Sequence, residues 1–192
     1  RTFTAAVISA VCNYMGMYVV LFLLPFYLIQ GRGLNSAQAG LLLTAQPVVM
    51  ALVAPFSGTL SDRIGARLPA TLGMLIMATG LFILSRLQPL TTTALISAAL
   101  AVCGLGIGMF VSPNNSSLMG AAPRNRQGVA AGMLAMARNV GMVLGIGMSG
   151  AILTTALARN PQSGIFDAVT PGFLAGMGIA LLAALASSLR HS

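Results

Sequence analysis

Charge is the scarcest thing in this sequence. Of 192 residues, ten are basic, two are acidic and one is histidine, and each shortage excludes something. The two acids, Asp62 and Asp167, are far apart, and the histidine is the penultimate residue, His191. No nucleophile set, acid–base pair or metal cluster can be assembled from these, so the chain is not expected to be an enzyme or to hold a metal. The two cysteines, Cys12 and Cys103, lie in apolar runs without CxxC or metal-ligand spacing and read as small packing residues. Gly104, Gly106 and Gly108 lack the spacing and the preceding strand of a dinucleotide fingerprint, and no other cofactor is expected.

What is present is apolar. Hydrophobic residues make up 57% of the chain and the mean hydropathy is +0.91, outside the balance of soluble domains. Apolar runs at 3–30, 36–57, 68–87, 92–112, 127–158 and 171–189 are long enough to cross a bilayer as helices, which satisfy their own backbone hydrogen bonds where the solvent offers none. The first run is too long for a signal peptide and has no small-residue cleavage site. The expected class is an all-α membrane protein, with 1–192 forming one six-helix domain and no soluble insertion.

A net charge of +8 would suggest nucleic acid in a soluble chain. Here most of the arginines sit at span ends, so no nucleic-acid partner is expected and the lipid bilayer is. Alternating the spans places Arg1, Arg63, Arg67, Arg124, Arg126 and Arg190 on one side and Arg32, Arg86 and Arg159 on the other. The richer side is expected to be cytoplasmic, with both termini on it. The short loops read as turns and caps: Gly31–Ser36, with Asn35 or Ser36 as an N-cap, then Gln88-Pro89, Ala122–Asn125 and Asn160–Gly164. Spans one, two, four and five carry amides, prolines or a charge, whereas three and six carry mainly hydroxyls, small residues and aliphatics. That period of three predicts two three-helix inverted repeats, each with its third helix turned to lipid.

One loop concentrates charge: Gly58-Thr-Leu-Ser-Asp62-Arg63-Ile-Gly65-Ala-Arg67. It resembles the signature loop of the major facilitator superfamily, G-x-L-[AS]-D-R-x-G-[RK]-[RK], with Ala66 where the family usually has a basic residue. Leu24-Pro-Phe-Tyr-Leu-Ile-Gln30, Ala39-Gly-Leu-Leu-Leu, Gly104-Leu-Gly-Ile-Gly-Met-Phe, Gly128-Val-Ala-Ala-Gly-Met-Leu and Arg138-Asn-Val-Gly-Met-Val-Leu-Gly are similar to the C-terminal half of 14-helix drug:proton antiporters. The resemblance implies half of a proton-coupled exporter of drugs or small amphipathic molecules in a bacterial inner membrane, working by alternating access. It also implies a partner, either a missing N-terminal half or a second copy. Two rivals stand beside it: a six-helix protein that pairs with itself to transport, and a non-transporting membrane scaffold.

In the loop, Gly58 is expected to allow close helix approach and Asp62 to cap the third span. The resemblance makes Gly58, Asp62, Arg63, Gly65 and Arg67 half of a cytoplasmic gate; a turn that only fixes topology is the plainer reading. Asn114 and Asn115 belong either to that gate or to a solvated helix end.

Deeper in the membrane, Asn13, Gln46 and Arg138 each lie roughly 15 Å along their spans, near the middle of a core about 30 Å thick. With Tyr14, Met17 and Asn139 they form the expected substrate pathway. The small-residue stripe Gly141, Gly145, Ser149 predicts close helix packing, with Arg138 turned into the bundle. Arg138 reads either as a pathway charge or as a pin on backbone carbonyls, and Asn13 and Gln46 equally well as helix-to-helix bonds.

Overall fold

The computed structural model describes residues 2–159 and 164–188. All its regular structure is helical: α1 (Thr2–Pro25), α2 (Ser36–Leu43), α3 (Ala45–Ile64), α4 (Arg67–Ser85), α5 (Thr93–Gly120), α6 (Gln127–Arg159) and α7 (Ile165–Ser188), with a π-helical turn at Phe26–Gly31 and a 3₁₀ turn at Arg124–Arg126. These make six spans long and apolar enough to cross a membrane, α2 and α3 together forming the second. Arg1, Arg190, His191 and most of the turn at Asn160–Gly164 lie outside the described residues.

Local chemistry explains the breaks. Pro25 has no N–H to continue the ladder of α1, and the chain widens there into the π turn. Pro47 leaves the Leu43 carbonyl without its usual donor, and the second span breaks just ahead of it at Thr44, whose hydroxyl donates to Leu41 O at 2.6 Å. Asn35 is the N-cap of α2: its side chain accepts from the Gln38 N–H at 2.9 Å, and Gln38 Oε1 accepts from the Asn35 N–H at 3.3 Å.

Three spans extend past the points where hydropathy drops. The second continues to Ile64 and the fourth to Gly120, while the sixth begins at Ile165, ahead of Pro171. A helix need not stop where the apolar run stops, because water can satisfy its polar face beyond the bilayer. Asn114 is therefore buried well inside α5, and the expected solvated helix end does not exist at that position.

The spans pack in two layers. A front row runs α6, α1, α5, α3, and a back pair, α7 and α4, packs against its centre. Small residues set the closest approaches. A Cβ on Gly73 would lie 2.6 Å from Gly106 O, and one on Gly106 would lie 2.5 Å from the Met77 nitrogen, so α4 and α5 touch through backbone. Exchanging spans one with four, two with five and three with six maps the main packings onto each other. Each unit has three spans, so the second crosses the membrane in the opposite sense: these are two inverted repeats. The outward stripe of α4, Leu68, Leu72, Leu75 and Phe82, and that of α7, Leu174, Leu181 and Leu185, are apolar as a lipid-facing surface requires.

Candidate functional site

The signature turn is built differently from its expected form. Helix α3 runs through Asp62 and Arg63 to Ile64, and the chain reverses at Gly65, whose φ of 83° only glycine adopts without strain. Asp62 thus sits in the last turn of α3 and does not cap α4, whose N-cap is Ala66 with no side-chain bond. The carboxylate lies at the negative end of its own helix, an unfavourable place for it. Asp62, Arg63 and Arg67 are all exposed, and no ion pair joins them among the described residues. Gly58 does mediate close approach: a Cβ there would lie 2.9 Å from Ser112 Oγ of α5. The adjacent Ser57 hydroxyl donates to Met109 O at 2.9 Å, tying α3 to α5 beneath the turn.

The mid-membrane residues separate into two groups. Asn13 is fully buried and Gln46 is 7% exposed; Gly104 approaches the backbone oxygen of Gln46 so closely that a side chain there would overlap it. Arg138 and Asn139 are exposed, and Tyr14 and Met17 are half-buried. The small-residue stripe packs as expected: Gly141 meets Val11 O and Tyr14 of α1, Gly145 meets Met15, and Ser149 is buried. The residue that continues this stripe is Ala137, 3% exposed. Arg138, one residue on, turns about 100° away, so it does not point into the bundle as expected. Gly141, three residues further along α6, packs against Tyr14 of α1. Gln46 and Arg138 lie at opposite ends of the front row, on α3 and α6. The expected pathway is therefore not assembled as one set: Asn13 and Gln46 are interior residues, whereas Arg138 and Asn139 are exposed and Tyr14 and Met17 are half-buried, and together they do not close a pocket.

Sequence reasoning missed a third feature, at the end opposite the signature turn. Tyr27, fully buried, donates to Gln88 O at 2.7 Å and Arg32 Nη1 donates to Thr91 O at 2.6 Å. The Tyr27 ring also meets Phe166 edge-on with centroids 5.4 Å apart. The π turn, the α4–α5 loop and the start of α7 are thereby fastened together. No motif announces this, because both acceptors are backbone carbonyls.

The model of the Major Facilitator Superfamily matches residues 6–190. The chain belongs to this superfamily. Its relatives include the riboflavin transporter RibZ of Clostridioides difficile, 36% identical over 84% of this chain and 36% of its own length. The uncharacterized transporter YebQ of Escherichia coli is 35% identical over 98% of this chain and 39% of its own. The multidrug resistance protein Stp of Mycobacterium tuberculosis is 30% identical, over 86% and 31%. The chain thus spans less than half the length of these curated relatives. Among solved structures, a proton-dependent oligopeptide transporter superposes with a TM-score of 0.86 at 20% identity, covering all of this chain and 42% of its own. The tetrameric PepTSo2 gives 0.82 at 19%, covering 97% and 40%. Those two likenesses concern the fold. A facilitator-superfamily chain with six spans of this length and hydropathy is an integral membrane protein.

Proposed function

We propose that this chain forms one wall of a secondary active exporter of small amphipathic molecules, working by alternating access and driven by protons. The observation that carries the proposal is Arg138, exposed on α6 roughly 16 Å from the helix start at about 1.5 Å per residue. Gly141, one turn on, packs against Val11 and Tyr14 inside the first span, and an arginine on a span is costly against lipid, so its face belongs to a wet cavity or a second wall. Tyr14 and Met17 on the neighbouring α1 give that cavity an apolar and hydrogen-bonding lining, and Asn139 lies beside the charge. Relatives named for multidrug, riboflavin and triacylglyceride transport support an organic cargo.

The second wall comes from a further half or from a second copy of this chain. The two acids stand in the last turn of α3 and the first turn of α7, away from the middle of the spans, so proton coupling rests on a carboxylate of that wall. Asp62, Arg63 and Arg67, unpaired here, form one side of a cytoplasmic latch with Gly58 and Gly65 shaping the turn and Asn114 and Asn115 behind it. With the latch on the cytoplasmic side both termini lie in the cytoplasm, and the bacterial sources of the relatives support an inner membrane.

Proteoliposomes holding the complete transporter, loaded with a fluorescent amphipathic dye, test the reading. Dye flux that rises several-fold when a pH gradient is imposed is expected. A folded, complete assembly that moves no dye under any gradient would leave the scaffold reading standing instead.

A further inference from the structure

The interior of the helix core contains an amide that the protein does not satisfy. Asn13 is fully buried, and neither its Oδ1 nor its Nδ2 has a hydrogen-bond partner among the described residues. A side-chain amide offers two donors and an oxygen with two acceptor sites, and burying it in apolar surroundings without partners is strongly unfavourable. Other buried polar groups collect near it from two further helices. Gly172 of α7 packs on Leu23 and Gly176 on Val19, so these antiparallel helices step together. Ser187, three turns beyond Gly176, comes level with Ser9, one turn from Asn13. On α5, Phe110 lies against Gly73 of α4, and Gly16 of α1 lies against Met77; one turn past Phe110, the buried Asn114 reaches the same level. Ser9 directs its hydroxyl to Ala5 O at 2.8 Å within its own helix, whereas the buried Ser187 Oγ has no partner among the described residues.

We propose that the core between α1, α5 and α7 is an internal water site, anchored by the Asn13 amide and contacted by the Ser187 hydroxyl. Water is the occupant that the chemistry selects. The amide needs a donor and an acceptor together, which a water supplies while making about three hydrogen bonds. A bound cation would need several converging oxygens, and no carboxylate stands there to offset its charge: the acid of α7, Asp167, is in its first turn, at the far end of the helix from Ser187. The site lies inside the half, away from the face that carries Arg138. It therefore makes Asn13 an interior residue that holds α1 to its neighbours through water, and it stands whether or not the transport reading does.

Synchrotron radiolysis of the complete protein followed by mass spectrometry tests this, because a bound water is split in place and oxidises the side chains beside it. Met77, fully buried on α4 with its side chain against Gly16, three residues along α1 from Asn13, is expected to be oxidised at least about five times more than by hydroxyl radicals made chemically in bulk solvent. The fully buried Phe173 is the dry reference, with no such excess. Asn13→Leu, which keeps the number and branching of side-chain heavy atoms and removes the polar ones, is expected to abolish the excess. Ser187→Ala is expected to reduce it and serves if the first variant does not fold. Methionine oxidation no greater than the Phe173 reference, or an excess unchanged in the variants that fold, would overturn the proposal.

Discussion

At the scale of single residues, the fold depends on where a side chain is absent. Gly104 has the Gln46 backbone against it, whereas Gly132 faces open space. Gly104→Ala is expected to force α3 from α5 and cost about 1–3 kcal/mol, read as a lowered thermal midpoint in detergent, while Gly132→Ala leaves the midpoint unchanged or slightly raised. Gly65 works through its backbone. With φ at 83° and ψ at 157° it occupies a region open essentially to glycine alone, so Gly65→Ala is expected to cost roughly 1–3 kcal/mol and to show it as faster proteolysis at the turn. The stripe on α6 was legible as a packing surface, because small residues four apart leave a groove that another helix fills. The direction of Arg138 was not. Spacings of three and four both count as one face in a sequence, and only the neighbouring helix decides that Ala137 rather than Arg138 continues the row. Asn13 has the same history: its depth could be counted, but burial depends on three other helices.

At the scale of elements, the six spans were legible from hydropathy and their ends were not, since a helix continues past the apolar run wherever its polar face meets water. The displaced end of α3 changes the chemistry of the signature turn, moving Asp62 from the favourable start of one helix to the unfavourable end of another. The fastening at the opposite end makes a further prediction. Tyr27→Phe removes the donor to Gln88 O while keeping the ring against Phe166, so the expected loss is that of one buried hydrogen bond, about 1–3 kcal/mol. Hydrogen exchange localises it: faster exchange in the α4–α5 loop and at the start of α7 is expected, with the signature turn unchanged. Equal acceleration at both ends would mean that Tyr27 supports the whole bundle and not a local joint.

Across the whole molecule, burial is uneven in a way that composition alone does not reveal. The spans formed by α2 with α3 and by α6 are the least buried of the six, although their hydropathy of 1.8 is only slightly below the 1.9 to 2.3 of the rest. Val48, Leu52 and Phe56 on α3 and Met136, Val140 and Val143 on α6 stay exposed. Those two helices stand at the ends of the front row, where a second wall would meet them. Replacing Leu52 and Phe56 with Ser is therefore expected to leave the helicity and thermal midpoint of this chain nearly unchanged while lowering dye flux in the complete assembly.

The account turns on one charge lining a wet pathway, and the measurement that tests it most directly is dye flux through reconstituted Arg138→Ala, normalised to the amount of folded protein. Flux reduced at least tenfold, with the thermal midpoint within a degree or two of the parent, is the result the account predicts. Full flux in the folded variant would contradict it.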